Sequence, residues 1–244
     1  MKNFKMQSWT VVARRELSAY FASPVSYIVG ALFLLFSGFL FFTTFFLVNR
    51  AELRGFFELL PFLFAFFIPA LTMKTFSEEK RSGTIETLVT LPAEIWQIVL
   101  GKYAASFLSS AALLLPTIFY VVPCVIFASG GIDFGTILGG YLGGIFLAAA
   151  FSAVGIFSSA VTKNQIVSFF AGFAICIFLT MISAFSIFLP GVLVKFASFI
   201  SASAHFRSVA RGIIDSRDIL YFVSVSAIFV SLAIHSVENF RRGK

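Results

Sequence analysis

Long, uninterrupted apolar runs dominate the chain. An α-helix rises 1.5 Å per residue, so about 20 apolar residues cross the hydrocarbon core of a bilayer. Six stretches meet or approach that length: Val25–Val48, Phe56–Met73, Tyr103–Ser129, Ile137–Val161, Ile166–Leu189 and Ile219–His235. The second and sixth are the shortest. The third carries Pro116 and Pro123, and proline inside a membrane helix predicts a bend. The fourth carries Gly139-Gly140 and Gly143-Gly144, then Ala148-Ala149-Ala150, Ala153 and Gly155. Its two GxxxG pairs, Gly139/Gly143 and Gly140/Gly144, allow close helix approach, for packing within the chain in preference to a dimer seam. The pattern therefore predicts an all-α polytopic membrane protein with six transmembrane helices in one domain, residues 1–244. The first apolar run is too long for a signal-peptide core and lacks a small-residue cleavage site.

Three segments between the runs carry patterns of their own. In residues 1–23, Met6, Trp9, Val12, Ala13, Leu17, Tyr20 and Phe21 recur at helical spacing, with Lys2, Lys5, Arg14, Arg15 and Ser18 elsewhere. This predicts an interfacial helix turning into the first span at Pro24, or a simple basic anchor. Residues 74–102 include the most polar stretch, Ser77-Glu78-Glu79-Lys80-Arg81-Ser82-Gly83-Thr84-Ile85-Glu86. Gly83 can end one helix and Thr84 can cap the next, with Ile85, Leu88 and Val89 as a short apolar stripe. A compact, mixed-charge surface of this kind is either a solvated loop or a docking site for a soluble partner. In residues 190–218, Val192, Phe196, Phe199 and Ile200 fit a short interfacial or re-entrant helix better than an extended loop. His205 reads as a surface or interface residue, not a ligand.

Composition narrows the choice. The chain is 59% hydrophobic and 12% charged; soluble domains are about 25% charged. It has too few polar groups to cover a globular surface. A soluble enzyme, a nucleic-acid-binding domain and a disordered regulator are excluded. The formal charge of +7 is distributed unevenly. Lys2, Lys5, Arg14, Arg15, Lys74, Lys80, Arg81, Lys102, Lys163, Arg241, Arg242 and Lys244 share one side; Arg50, Arg54, Lys195, Arg207, Arg211 and Arg217 share the other. The excess of Lys and Arg puts both termini in the cytoplasm. The four basic residues after the fifth span run against that rule.

Chemistry is sparse. Apart from Glu58, in the first turn of the second span, the six spans contain no Asp, Glu, Lys or Arg, and Lys74 and Lys102 lie just outside span ends. Proton-coupled carriers need ionisable residues within the membrane. There is no Gly-x-Ser-x-Gly elbow, no His-Glu-x-x-His pair and no phosphate-binding loop; at Gly101-Lys102 the next residue is Tyr103 and Trp96 stands where the first glycine belongs. Cys124 and Cys176 lie in apolar runs without metal-ligand spacing. Four Met, two Cys and two His form no cluster that favours copper. A membrane body without its own catalyst or energy source, but with a structured polar loop, fits a transporter subunit driven by a separate ATPase.

The whole chain resembles the permease subunits of bacterial ABC-2 type transporters, nearest the gliding-motility and nitrous-oxide-reductase-maturation branch. The resemblance rests on the order of Arg15-Glu16-Leu17, Tyr20-Phe21-Ala22-Ser23-Pro24, Ile68-Pro69-Ala70-Leu71-Thr72-Met73, the 78–86 segment, Leu91-Pro92, Leu100-Gly101-Lys102, Thr162-Lys163-Asn164-Gln165, His205-Phe206 and Arg211-Gly212-Ile213-Ile214-Asp215. It implies six spans, an N-terminal interfacial helix and re-entrant helices between spans five and six on the outer side. It also implies a homodimer or paralogous pair of permeases in the bacterial inner membrane, with two ATPase copies that bind ATP and Mg, so the chain itself needs no cofactor. Glu78, Glu79, Arg81, Gly83, Thr84 and Glu86 then fall in the ATPase-coupling segment, and Arg14, Arg15 and Glu16 in the interfacial helix. Export is the implied direction. The competing reading is a membrane assembly or mechanical component working with an ATPase without solute flux.

Overall fold

The computed structural model describes residues 8–48, 53–85, 94–127, 133–185, 190–213 and 215–242. The described residues are almost wholly helical and contain no strand. In chain order the helices are α1 (Ser8–Ala22), α2 (Pro24–Val48), α3 (Arg54–Thr72), α4 (Lys74–Ser82), α5 (Ile95–Ala112), α6 (Val121–Phe127), α7 (Phe134–Val161), α8 (Gln165–Met181), α9 (Gly191–Ile200), α10 (Ala202–Ala210) and α11 (Ser216–Arg242). Among the described residues, five helical runs are long and apolar enough to cross a membrane: Pro24–Thr43, Arg54–Ser82, Ile95–Phe127, Phe134–Val161 and Ser216–Arg241. The chain is an all-α polytopic membrane protein.

Helix α7 is the central post. It packs against α3, α5, α8, α10 and α11. The Asp133 carboxylate caps it, accepting from Gly135 N at 3.0 Å and Thr136 N at 3.3 Å. Asn164 does the same for α8, accepting from Ile166 N at 2.9 Å. These caps satisfy N–H groups that a helix start leaves open.

The glycines of α7 explain how so many neighbours fit. A Cβ on Gly140 would lie 2.3 Å from the Phe57 ring of α3. One on Gly139 would lie 2.3 Å from the Val209 carbonyl of α10, and one on Gly155 would lie 2.0 Å from Thr72 Oγ1. Both GxxxG pairs are thus occupied inside the chain. In lipid, where apolar burial gives little drive, such close packing is what holds helices together.

Two spans differ from the sequence expectation. The third was expected over Tyr103–Ser129. Its helix starts earlier, at Ile95, and α5 stops at Ala112, four residues before Pro116. A proline ring clashes with the carbonyl four residues back and brings no N–H. The chain continues as a tight 3₁₀ turn, Pro116–Tyr120, and then α6. Tyr120 stacks on Phe41 at 4.9 Å and shares a hydrogen bond with Ser37, which seats this turn against α2. The fifth, expected over Ile166–Leu189, has its α-helix end at Met181; residues 186–189 lie outside the described region. Ser203 of α10 donates to the Thr180 carbonyl at 2.7 Å, and Arg207 Nη2 donates to Ser183 Oγ at 3.2 Å. One of the last carbonyls of α8 is therefore satisfied by protein while the apolar run still continues.

Helices α9 and α10 occupy the segment expected to hold short interfacial or re-entrant helices. Phe206 is fully buried against Gly143. Gly212, at φ 81°, turns the chain into α11. His205 sits between elements: Nδ1 is 2.6 Å from Asp218 Oδ1, Nε2 is 3.0 Å from the Phe199 carbonyl, and the ring stacks on Tyr221 at 4.2 Å.

Candidate functional site

The site forms where α1, α4 and the first half of α5 meet. Helix α4 follows α3 after the single residue Met73, so the polar segment begins as a near-continuation of the second span. Its residues are sharply sorted. Thr75, Phe76, Ser77 and Lys80 are buried, while Glu78, Arg81 and Ser82 are exposed. Gly83, at φ 77°, closes the helix in the left-handed conformation that glycine adopts without steric cost. Thr84 is exposed and shares a hydrogen bond with Ser82.

Lys102 holds the three helices together. It was expected at or just outside a span end; instead it lies inside α5 with its side chain 1% exposed. Its ammonium donates to Glu16 Oε1 of α1 at 2.8 Å, to Glu79 Oε1 of α4 at 2.7 Å and to the Thr75 carbonyl at 3.2 Å. All three donors of the ammonium are thus used. The Phe76 ring lies 5.1 Å away. A buried cation is tolerable only when paired and hydrogen-bonded in this way. The Glu16 and Glu79 side chains keep about a fifth of their surface in contact with solvent, at 20% and 21%, although Glu79 Oε2 is itself buried.

Next to it runs a chain of hydroxyls. Thr75 Oγ1 donates to the Thr72 carbonyl at 2.8 Å, so it must accept from Tyr20 Oη, 2.8 Å away. Tyr20 then accepts from Ser106 Oγ at 2.9 Å. Burial pushes the Tyr20 phenol above its ordinary pKa, with the Ser106 and Thr75 hydrogen bonds pulling against it. The phenol therefore stays neutral and able to donate. Tyr20→Phe should cost about 1–2 kcal/mol, because it leaves a buried hydroxyl pair short of a partner. Denaturation of the purified variant in detergent measures this.

Gly101 completes the contact. A Cβ there would lie 2.8 Å from the Trp9 carbonyl and from Val12 Cβ, so α1 packs directly on α5. Between α1 and α4, beside Lys102, is an open cavity of about 350 Å³ bordered by Glu16, Tyr20, Lys74, Glu78, Glu79 and Lys102.

Of the residues singled out from the sequence, Glu16 and Glu79 converge on Lys102. Glu78, Arg81, Gly83 and Thr84 form the exposed tip, and Arg14 and Arg15 are exposed on α1. Glu86, Leu88 and Val89, like Met6, Lys2 and Lys5, lie outside the described residues. Sequence reasoning missed Lys102 as the hub, together with Tyr20, Thr75 and Ser106. The one signal was a lysine heading an apolar run, with unmatched acids at Glu16 and Glu79. The arrangement holds no nucleophile–base pair. Among the described residues no group of three His, Cys, Asp or Glu could hold a metal ion. What the site can do is tie an exposed polar tip to the membrane body.

A family model described as ABC-2 family transporter protein matches residues 26–237. The chain belongs to the ABC-2 transporter family. The match takes in the Lys102 hub, the α4 tip and the α10–α11 segment, though not Glu16 or Tyr20. This ABC-2 protein is accordingly a multi-pass permease of an ABC transporter, and such permeases generally work with an ABC ATPase. No curated protein matches the chain.

Proposed function

We propose that the chain is the membrane subunit of an ABC exporter, powered by a separate ATPase that docks on the tip of α4. The observation that carries this is the sorting of α4. Glu78, Arg81, Gly83 and Thr84 present charge and backbone to solvent, while Glu79 on the same helix is tied through Lys102 to α1 and α5. A push on the tip therefore reaches the membrane body through a paired, buried cation instead of a slack loop. In this reading the ATPase binds ATP and Mg, and two ATPases act on two permease copies, identical or paralogous. Both termini and the tip face the cytoplasm of a bacterium, at its inner membrane, as the excess of Lys and Arg on that side supports.

The test is affinity purification from the native membrane in mild detergent. The wild-type chain should bring down a soluble ATPase with a phosphate-binding loop. Glu78→Arg combined with Arg81→Glu should reduce the captured ATPase about ten-fold or more, the loss of about 1.4 kcal/mol of binding free energy. Its melting behaviour should stay unchanged, since both side chains are exposed. Glu79 is unsuitable for this test because reversing it would also break the Lys102 cluster. Wild-type capture by the double variant would refute docking at the tip.

A further inference from the structure

The opposite side of α4 carries a second connection, to α7 and α11. The N–H groups of Phe76 and Ser77 are the third and fourth of α4, two of the four that a helix start leaves without a partner in its own helix. They donate to a side chain of another helix, Ser159 Oγ of α7, at 2.8 and 3.0 Å. The Ser159 hydroxyl in turn donates to the Met73 carbonyl at 3.1 Å, the link between α3 and α4. The reverse also holds. Lys80 Nζ of α4 donates to the Ala160 carbonyl, one of the last carbonyls of α7, which also accepts from Ser236 Oγ of α11 at 3.0 Å. A cation at a helix C-terminus is favourable for the helix dipole as well as for the open carbonyls. The Lys80 ammonium also lies 5.1 Å from the Phe240 ring of α11.

We infer that Ser159 and Lys80 are positioning residues that cap α4 and α7 reciprocally, so that α4 moves as one body with the end of α7 and does not swing on Met73. Each helix closes an end of the other. A hinge at Met73 would have to strip two amides of their shared partner at once. Because Ser159 is fully buried, water is not at hand to replace it. This deepens the proposed function, since it says where a displacement of the docked tip goes: into the central post of the bundle and into α11. It does not depend on that proposal for its first test.

That first test uses the purified chain in detergent, with hydrogen–deuterium exchange read on peptides covering residues 74–82. Ser159→Ala should raise amide exchange there about ten-fold, and Ser159→Thr, which keeps the hydroxyl, should restore protection. Lys80→Met should loosen the last turn of α7, and Lys80→Arg should restore it. Unchanged exchange in Ser159→Ala, or equal loss in Ser159→Thr, overturns the cap whether or not an ATPase binds. The second test uses the complex with its ATPase, with spin labels at Ser82→Cys and Lys163→Cys, both exposed. Their distance should stay constant on adding ATP in an otherwise wild-type chain, and should shift or broaden when Ser159→Ala and Lys80→Met are combined. A shift in the wild-type background as large as in the combined variant overturns the single-body motion.

Discussion

Replacing Lys102 with methionine should lower stability by about 3 kcal/mol, the low end for removing one partner from a buried ionic group. Methionine keeps the length of the side chain and its contact with Phe76 but leaves Glu16 and Glu79 facing each other without a cation. The low end applies because both acidic side chains retain about a fifth of their exposure. Chemical denaturation in detergent measures the loss. The decisive companion is the triple variant Lys102→Met, Glu16→Gln, Glu79→Gln. Replacing a whole buried ionic group with neutral residues is often close to neutral for stability, so the triple variant should recover most of the loss. Because the three residues share one network, the single effects will not add. If Lys102→Met is as stable as the wild type, Lys102 does not hold α1, α4 and α5 together.

The second large effect is steric. Gly139→Leu should cost about 3 kcal/mol, toward the upper end for an overpacked site. Even its Cβ would sit 2.3 Å from the Val209 carbonyl and 3.0 Å from the Gly212 backbone. Both obstacles are main chain, and Gly212 is itself held at a positive φ, so neither can rotate away. Gly30→Ala is the matching control. Its Cβ would meet only Leu113 Cδ2 at 3.7 Å, an ordinary contact. It should be neutral or slightly stabilising, since alanine is the better helix former by about 1 kcal/mol. Equal losses in the two variants would mean that α7 does not pack on α10 through Gly139.

Much of this architecture was legible in the sequence because membranes impose a simple code. Run length and the absence of charge located the apolar helices, and Gly83 marked the end of α4. The spacing of Gly139, Gly140, Gly143 and Gly144 announced close packing, though not that one pair serves α10 and the other α3. What the sequence hid were relations between distant positions. Lys102 reads as an ordinary boundary lysine until Glu16 and Glu79, 86 and 23 positions away, fold onto it. Ser159 looks like one small residue in Ser158-Ser159-Ala160; its role depends on the break at Met73, which the apolar pattern smooths over. The early end of α8 was equally invisible, because the apolar run continues past Met181 and the hydroxyl that takes up the Thr180 carbonyl, Ser203, sits on another helix.

That short helix has a mechanical consequence. Seventeen residues of α8 span about 25 Å, against a hydrocarbon core of about 30 Å. The remaining depth falls to the turn and 3₁₀ residues 182–185 that follow α8, where a mismatch with the bilayer carries a cost that rises with each ångström. At that end of α8 stand Ser203 and Arg207, bonded to Thr180 and Ser183. A thicker bilayer therefore pulls on the joint between α8 and α10, and lipid chain length becomes a load on the permease.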